Sequence, residues 1–172
     1  MIEIVIGRTW DGALLPKDEQ ATIRLSWEGD DLRVDVDAPF SGDPPPPSAP
    51  GPTDGLWEHE VVELFVILDR QGPRYLEIEL GPHGHHLVLT LDGVRQPTER
   101  CLPLRYEASA EGDRWRGVAR LEASRLGGER PVAFNATRIW GVGEARRYAS
   151  VVTLPGDTPD FHQPDRFVPW LL

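Results

Sequence analysis

Apolar and polar residues alternate with a period of two along much of this chain, and that period predicts strands rather than helices. Residues 2–6 alternate and then meet a turn-like Asp11-Gly12. In residues 21–27, Ile23, Leu25 and Trp27 share one face and Thr22, Arg24 and Ser26 the other. In residues 32–38, Leu32, Val34 and Val36 oppose Arg33, Asp35 and Asp37, and Glu28-Gly29-Asp30-Asp31 between the two runs is a hairpin signal. Both read as half-buried antiparallel strands. Residues 61–68 are almost continuously apolar, broken by Glu63, and predict a strand buried on both faces. Residues 75–80 set Leu76, Ile78 and Leu80 against Tyr75, Glu77 and Glu79, and residues 85–91 turn Leu87, Leu89 and Leu91 toward the core. Turns are expected at 69–74 and at Gly81-Pro82-His83-Gly84. Further strands are expected at 102–109, 114–121, 132–140 and 147–154, with a hairpin at Glu111-Gly112-Asp113 and one helical turn at 122–126 stopped by Gly127-Gly128. No stretch sustains a helical period. About ten short strands with regularly spaced turns predict an all-β protein, an antiparallel β-sandwich.

Residues 39–55, PFSGDPPPPSAPGPTDG, carry too many prolines for sheet or helix and form one long loop, polyproline II in part. The strands before it are too few to bury a core of their own, so residues 1–172 are expected to be a single domain with this loop inside it. The formal charge of −10 argues against a nucleic-acid partner, which needs a basic surface to release counterions. Cys101 is the only cysteine, so no intrachain disulfide forms, and a cytoplasmic location is expected. The N-terminal apolar run carries Glu3 and no basic lead-in, and reads as a strand rather than a signal peptide. No apolar run approaches the roughly 20 residues of a membrane span.

Glu63 is the most informative residue for chemistry. It shares a strand face with Val61, Phe65 and Ile67, where an isolated carboxylate is costly and needs a partner. Arg138, in the equally apolar AFNATRIW on the face of Phe134, Ala136 and Trp140, is the candidate. The two would form either a buried ion pair or the polar floor of a ligand pocket. Glu77 and Glu79, with Tyr75 beside them, read first as a solvated strand face; paired carboxylates could also serve glycoside hydrolysis or bind calcium. His83, His85 and His86 cluster at a turn, and His83, His85 and Glu79 are candidate metal ligands, although no HExxH pattern accompanies them and hydrogen bonding within the turn competes. Trp57 lies at the end of the long loop, where its flat apolar ring could stack on a sugar. GxSxG, Walker, Rossmann and CxxC motifs are absent.

The motifs TWDG at 9–12, DAPFSGDPPPP at 37–47, LWEHEVVELF at 56–65, YLEIELGPHGHHLVL at 75–89 and DFH at 160–162 resemble one small family of uncharacterised proteins of animals and bacteria, over most of the chain. More distantly, the W-x-x-x-x-V-E-x-F core, the Y-x-E-x-E strand and the late FH-x-P-x-x-F segment resemble the DOMON-like sandwiches, which include the family 9 carbohydrate-binding modules. That resemblance implies an immunoglobulin-like or jelly-roll-like sandwich. It also implies a sugar site in which tryptophans clamp the ring while a strand carboxylate and an arginine hold hydroxyls. Trp57 and Glu63 match the motif; Arg138 and His162 correspond more loosely. Met1 is the only methionine, so the heme-binding Met/His pair of the cytochrome-type branch is not expected, nor any cofactor beyond a structural calcium. The resulting expectation is a non-catalytic module for a small polar ligand, a sugar or glycan end, held by Trp57, Glu63, Arg138, His162, Glu77 and Tyr75. Two alternatives stand beside it: a metal-assisted hydrolase built on His83, His85 and His86, and a protein-interaction module using the proline-rich loop.

Overall fold

The computed structural model describes residues 1–68, 74–126 and 130–170. The turn expected at 69–74 and the Gly127-Gly128 stop fall mainly or wholly outside them. The strands are β1 (Ile2–Ile6), β2 (Ala21–Glu28), β3 (Asp31–Pro39), β4 (Val61–Ile67), β5 (Arg74–Leu80), β6 (His86–Asp92), β7 (Pro97–Glu99), β8 (Arg105–Glu111), β9 (Arg114–Leu121), β10 (Ala133–Trp140), β11 (Arg147–Ser150) and β12 (Val168–Pro169). They form two antiparallel sheets, one ordered β1-β2-β3-β9-β8 and the other β11-β10-β4-β5-β6-β7, with β12 on the same side of β10 as β11. Helical structure among the described residues is limited to short 3-10 turns, including Ala123–Leu126 where one helical turn was expected, and no helix is long and apolar enough to cross a membrane. Strand β7 was not anticipated, because three residues are too few to show alternation.

The main core lies between the sheets. Ile23, Leu25, Leu32, Val34 and Val36 of one sheet pack against Val62, Leu64, Val66, Leu76, Ile78, Leu80 and Val88 of the other. The opposite face of the five-stranded sheet carries ion pairs such as Arg33–Asp35 and Arg114–Asp37, as the alternation predicts. Tyr106 crosses between the sheets, donating from its hydroxyl to the Gly81 carbonyl at 2.8 Å. Only a glycine at 117 leaves room for it: a Cβ there would lie 2.6 Å from the Tyr106 hydroxyl oxygen. Gly117→Ala is therefore expected to destabilise the protein by about 1–3 kcal/mol, the usual range for overpacking. Urea unfolding checks this, and an unchanged midpoint would show that Tyr106 moves aside freely.

The seven-stranded sheet is buried on its other face as well. Strand β11 ends at Ser150 rather than running to 154, and the following chain crosses that face, where Leu154, Phe161 and Phe167 pack with Val61, Phe65, Tyr75, Leu87, Leu89, Leu91 and Ile139. Leu87, Leu89 and Leu91 are core residues as expected, packed in this second cluster. One expectation changes as a result. Tyr75, Glu77 and Glu79 are buried beside them instead of solvated, because the C-terminal segment covers their face.

The proline-rich loop is bonded along its length. Gly141 N–H donates to Asp43, His86 N–H to the Gly51 carbonyl and Thr53 N–H to the His86 carbonyl, while His85 Nε2 lies 2.9 Å from the Ser48 carbonyl. It also presses Pro46 out of solvent. These bonds make the loop a strap over the β6 end of the sheet, while Pro44, Pro45, Pro47 and Pro50 stay exposed.

Candidate functional site

Pleating and register together build the site. Outward side chains of the covered sheet fall into rows across neighbouring strands. One row is Thr137, Glu63, Glu79 and Leu87; the next is Asn135, Phe65, Glu77 and Leu89. Glu63 and Glu79 are thus direct cross-strand partners, and Glu77 is the diagonal neighbour of Glu63, two residues from Glu79 on the same strand. Such positions place Cβ atoms about 4.5–5.5 Å apart directly across a pair and about 7–8 Å on the diagonal, where like charges repel. One oxygen from each of the three carboxylates lies within 4.8 Å of the other two. Exposure is 2 % for Glu63, 4 % for Glu77 and 0 % for Glu79.

Burial raises all three pKa values. Glu63 rises to about 7, held there against the Thr137 hydroxyl that donates to its Oε2 and against the nearby Arg146 charge. Glu77 rises to about 8, with Glu63 adding repulsion, and Glu79 is pushed well up by burial and then by both neighbours. His162 Nδ1 lies 2.7 Å from the Tyr75 hydroxyl and its Nε2 lies 3.8 Å from Glu77 Oε2. Desolvation drops the His162 pKa to about 4, so it is neutral at pH 7. The Nε2-protonated tautomer lets Tyr75 donate to Nδ1 and turns the Nε2–H toward Glu77.

Above the carboxylates the sheet face opens into a cavity of about 310 Å³ whose lining includes Trp57, Glu63, Phe65, Glu77, Arg95, Arg100, Tyr148, Phe161 and His162. Gly55, at φ +80°, turns the end of the long loop into the short 3-10 turn Leu56–Glu58 that carries Trp57, which is 39 % exposed. Arg146 anchors that turn by donating to the Trp57 carbonyl. Arg95 and Arg100 are steadied by Asp160 at 2.7 Å and Asp54 at 2.9 Å. Buried acids, a neutral imidazole and apolar rings thus meet two guanidinium groups in one concavity.

Comparison with known proteins gives this chain relatives along nearly its whole length. It is 38 % identical to the UPF0462 protein C4orf33 of Homo sapiens over 169 residues, covering 94 % of this chain and 83 % of the human one. The Mus musculus homologue is 37 % identical over 177 residues, covering 98 % and 91 %. This chain belongs to the UPF0462 (C4orf33) family. The Danio rerio member is 38 % identical over 175 residues, covering 96 % of this chain and 87 % of its own. No family model matches. Among solved structures, a "putative carbohydrate-binding protein" from Bacteroides uniformis superposes with a TM-score of 0.75 at 16 % identity, covering 97 % of this chain and 84 % of that one. At that identity the likeness shows a shared fold.

In this UPF0462 chain the expected Glu63–Arg138 pair does not form. Arg138 lies opposite Val62, whereas Glu63 lies opposite Thr137, so the two charges project from opposite faces of the same sheet. Arg138 is 1 % exposed between the sheets. It donates to the carbonyls of Glu19 and Pro39 and to the Ser41 hydroxyl, lies 3.6 Å from Glu60 and stacks on Trp140. The charge partner for Arg138 is therefore Glu60, and Arg138 does not reach the cavity.

The histidines also separate. His83 packs edge-on to Phe40, His85 holds Ser48 and His86 lies against Tyr106, while Glu79 joins Glu63 and Glu77. Trp57, Glu63, Glu77 and His162 do converge, with Tyr75 behind His162. Arg95, Arg100, Tyr148 and Phe161 were missed. Arg95 and Arg100 belong to the irregular chain around β7, and no periodic signal places such residues at a mouth formed by distant segments.

Proposed function

We propose that this protein binds a small hydroxyl-rich ligand, a monosaccharide or the end of a glycan, in the cavity on the outer face of the seven-stranded sheet. The observation that carries the reading is the union of a carboxyl floor, Glu63 and Glu77, with a partly exposed Trp57 and two arginines around one opening. A sugar ring offers an apolar face for Trp57 and donor-acceptor hydroxyls for the carboxyls, His162, Arg95 and Arg100. The volume sits at the lower end of the roughly 300–1,000 Å³ typical of ligand sites, which favours one sugar unit over a chain. The description of the Bacteroides uniformis structure supports the same ligand class.

Titration calorimetry with a panel of mono- and disaccharides is expected to show saturable binding. Trp57→Ala, a change at an exposed position that spares the core, is expected to weaken it by roughly tenfold, the equivalent of about 1.4 kcal/mol of lost ring contact. Heats absent across the whole panel, or an affinity indifferent to Trp57, would defeat the proposal.

A further inference from the structure

Beneath the cavity lies an arrangement that sugar binding does not require. Glu63 has the Thr137 hydroxyl as a partner. Glu79 has no hydroxyl, amide or cationic donor: its side chain is fully buried, and its carboxyl oxygens face only the other two acids, with Glu77 in hydrogen-bond reach if one of the pair is protonated. Glu77 Oε2 is likewise unpaired, with His162 Nε2 beyond hydrogen-bond reach at 3.8 Å. Among the described residues no arginine or lysine forms an ion pair with any of the three; Arg95 and Arg100, the nearest basic lining residues, are engaged by Asp160 and Asp54.

Three buried acids so arranged need positive charge among them, and a proton shared between Glu77 and Glu79 or a metal cation could supply it. One oxygen of each acid lies close enough to the others, within 4.8 Å, to share one ion. Calcium accepts irregular shells of oxygen ligands, whereas magnesium demands near-octahedral geometry and sheds its waters reluctantly, so a buried trio of carboxylates favours the larger ion. Carboxylates alone, without cysteine and with one flanking imidazole, are the donor set of a hard oxygen-seeking ion. The cavity above provides a path in and room for water or ligand oxygens to complete the shell.

We infer that Glu63, Glu77 and Glu79 form a binding site for a divalent cation of calcium size at the floor of the cavity. Glu79 is the buried anchor, while Glu63 and Glu77, which line the cavity, leave the ion open to solvent on that side. The inference does not depend on the sugar reading, although an ion here would face the same opening in which a sugar would present adjacent hydroxyls.

Terbium luminescence tests the site directly, since Trp57 lines the same cavity and an indole sensitises a nearby Tb³⁺. Chelator-treated protein at pH 7.5 is expected to show saturable sensitised emission with Tb³⁺ alone, displaced by Ca²⁺ far more effectively than by Mg²⁺. Ca²⁺ is also expected to raise the thermal midpoint. Glu79→Gln keeps size and shape, and is expected to weaken Ca²⁺ binding by roughly tenfold or more while the far-ultraviolet circular dichroism is unchanged. Absence of both emission and a Ca²⁺-dependent thermal shift would overturn the inference. So would emission that survives in Glu79→Gln, because that places the ion among surface acids. Repeating sugar calorimetry with Ca²⁺ and with chelator separates the two proposals: sugar binding that persists in chelator leaves the sugar site standing whatever becomes of the cation.

Discussion

Replacing Arg138 with methionine is expected to cost about 3–5 kcal/mol of folding stability, the range for removing one member of a buried ion pair. The loss has two sources. Three hydrogen-bond acceptors, the carbonyls of Glu19 and Pro39 and the hydroxyl of Ser41, lose their donor at the rim of the core. Glu60 keeps the Ser41 N–H at 3.0 Å but loses its cation, and its pKa, already raised by burial, rises further. Arg138 itself is shifted down to about 10 by desolvation, so it stays charged at neutral pH. In a protein of this size the change lowers the melting temperature by on the order of 10 °C. The double variant with Glu60→Gln should recover part of the loss. A decrease below about 1 kcal/mol in urea unfolding would contradict the assignment, because that is the worth of an exposed pair. Ligand binding by the folded fraction should be unchanged, since Arg138 faces away from the cavity.

Glu79→Gln should move stability the opposite way. In chelator, the unmodified protein is expected to lose stability steadily between about pH 5 and pH 8. The sign follows from linkage: folded-state pKa values of about 7 for Glu63 and about 8 for Glu77, with Glu79 also raised by burial and by both neighbours, lie above the 4.5 of an ordinary glutamate. Over that interval the native state holds more protons than the unfolded state, so raising the pH favours unfolding. Glu79→Gln removes the most deeply buried of these acids and relieves the repulsion on the other two. It is expected to raise the melting temperature at pH 8 by several degrees and to flatten the pH dependence, with little effect at pH 5. The measurement is thermal unfolding across pH for both proteins. Equal pH profiles would mean that the three acids are not coupled through burial.

Much of the frame was legible because strand alternation is a local property. The faces of β2, β3, β5 and β10 follow from side chains that change side at every residue, and Glu63 and Arg138 were each placed on the correct set of apolar neighbours. The error lay in relating one strand to another. Register sets Thr137 opposite Glu63 and carries Arg138 to the reverse face. No feature within either strand fixes that offset, which a one-residue slip would invert. Glu77 and Glu79 were read as solvated for a similar reason: their cover comes from Leu154, Phe161 and Phe167, far along the chain in a proline-punctuated segment without a period.

Sequence by itself determined the all-β class, most of the strands, the proline-rich loop and the anomaly of a carboxylate inside an apolar strand. These rest on short-range sterics and on the energetic penalty of burying charge, both of which act within a few residues. Only the tertiary structure decided that Glu63 stands with Glu77 and Glu79 rather than with Arg138, that a second core covers them, and that Trp57, Arg95, Arg100 and His162 surround the same opening. Those contacts join residues up to about a hundred positions apart, and they are fixed by strand register and by the path of the C-terminal segment over the sheet, which local pattern does not encode.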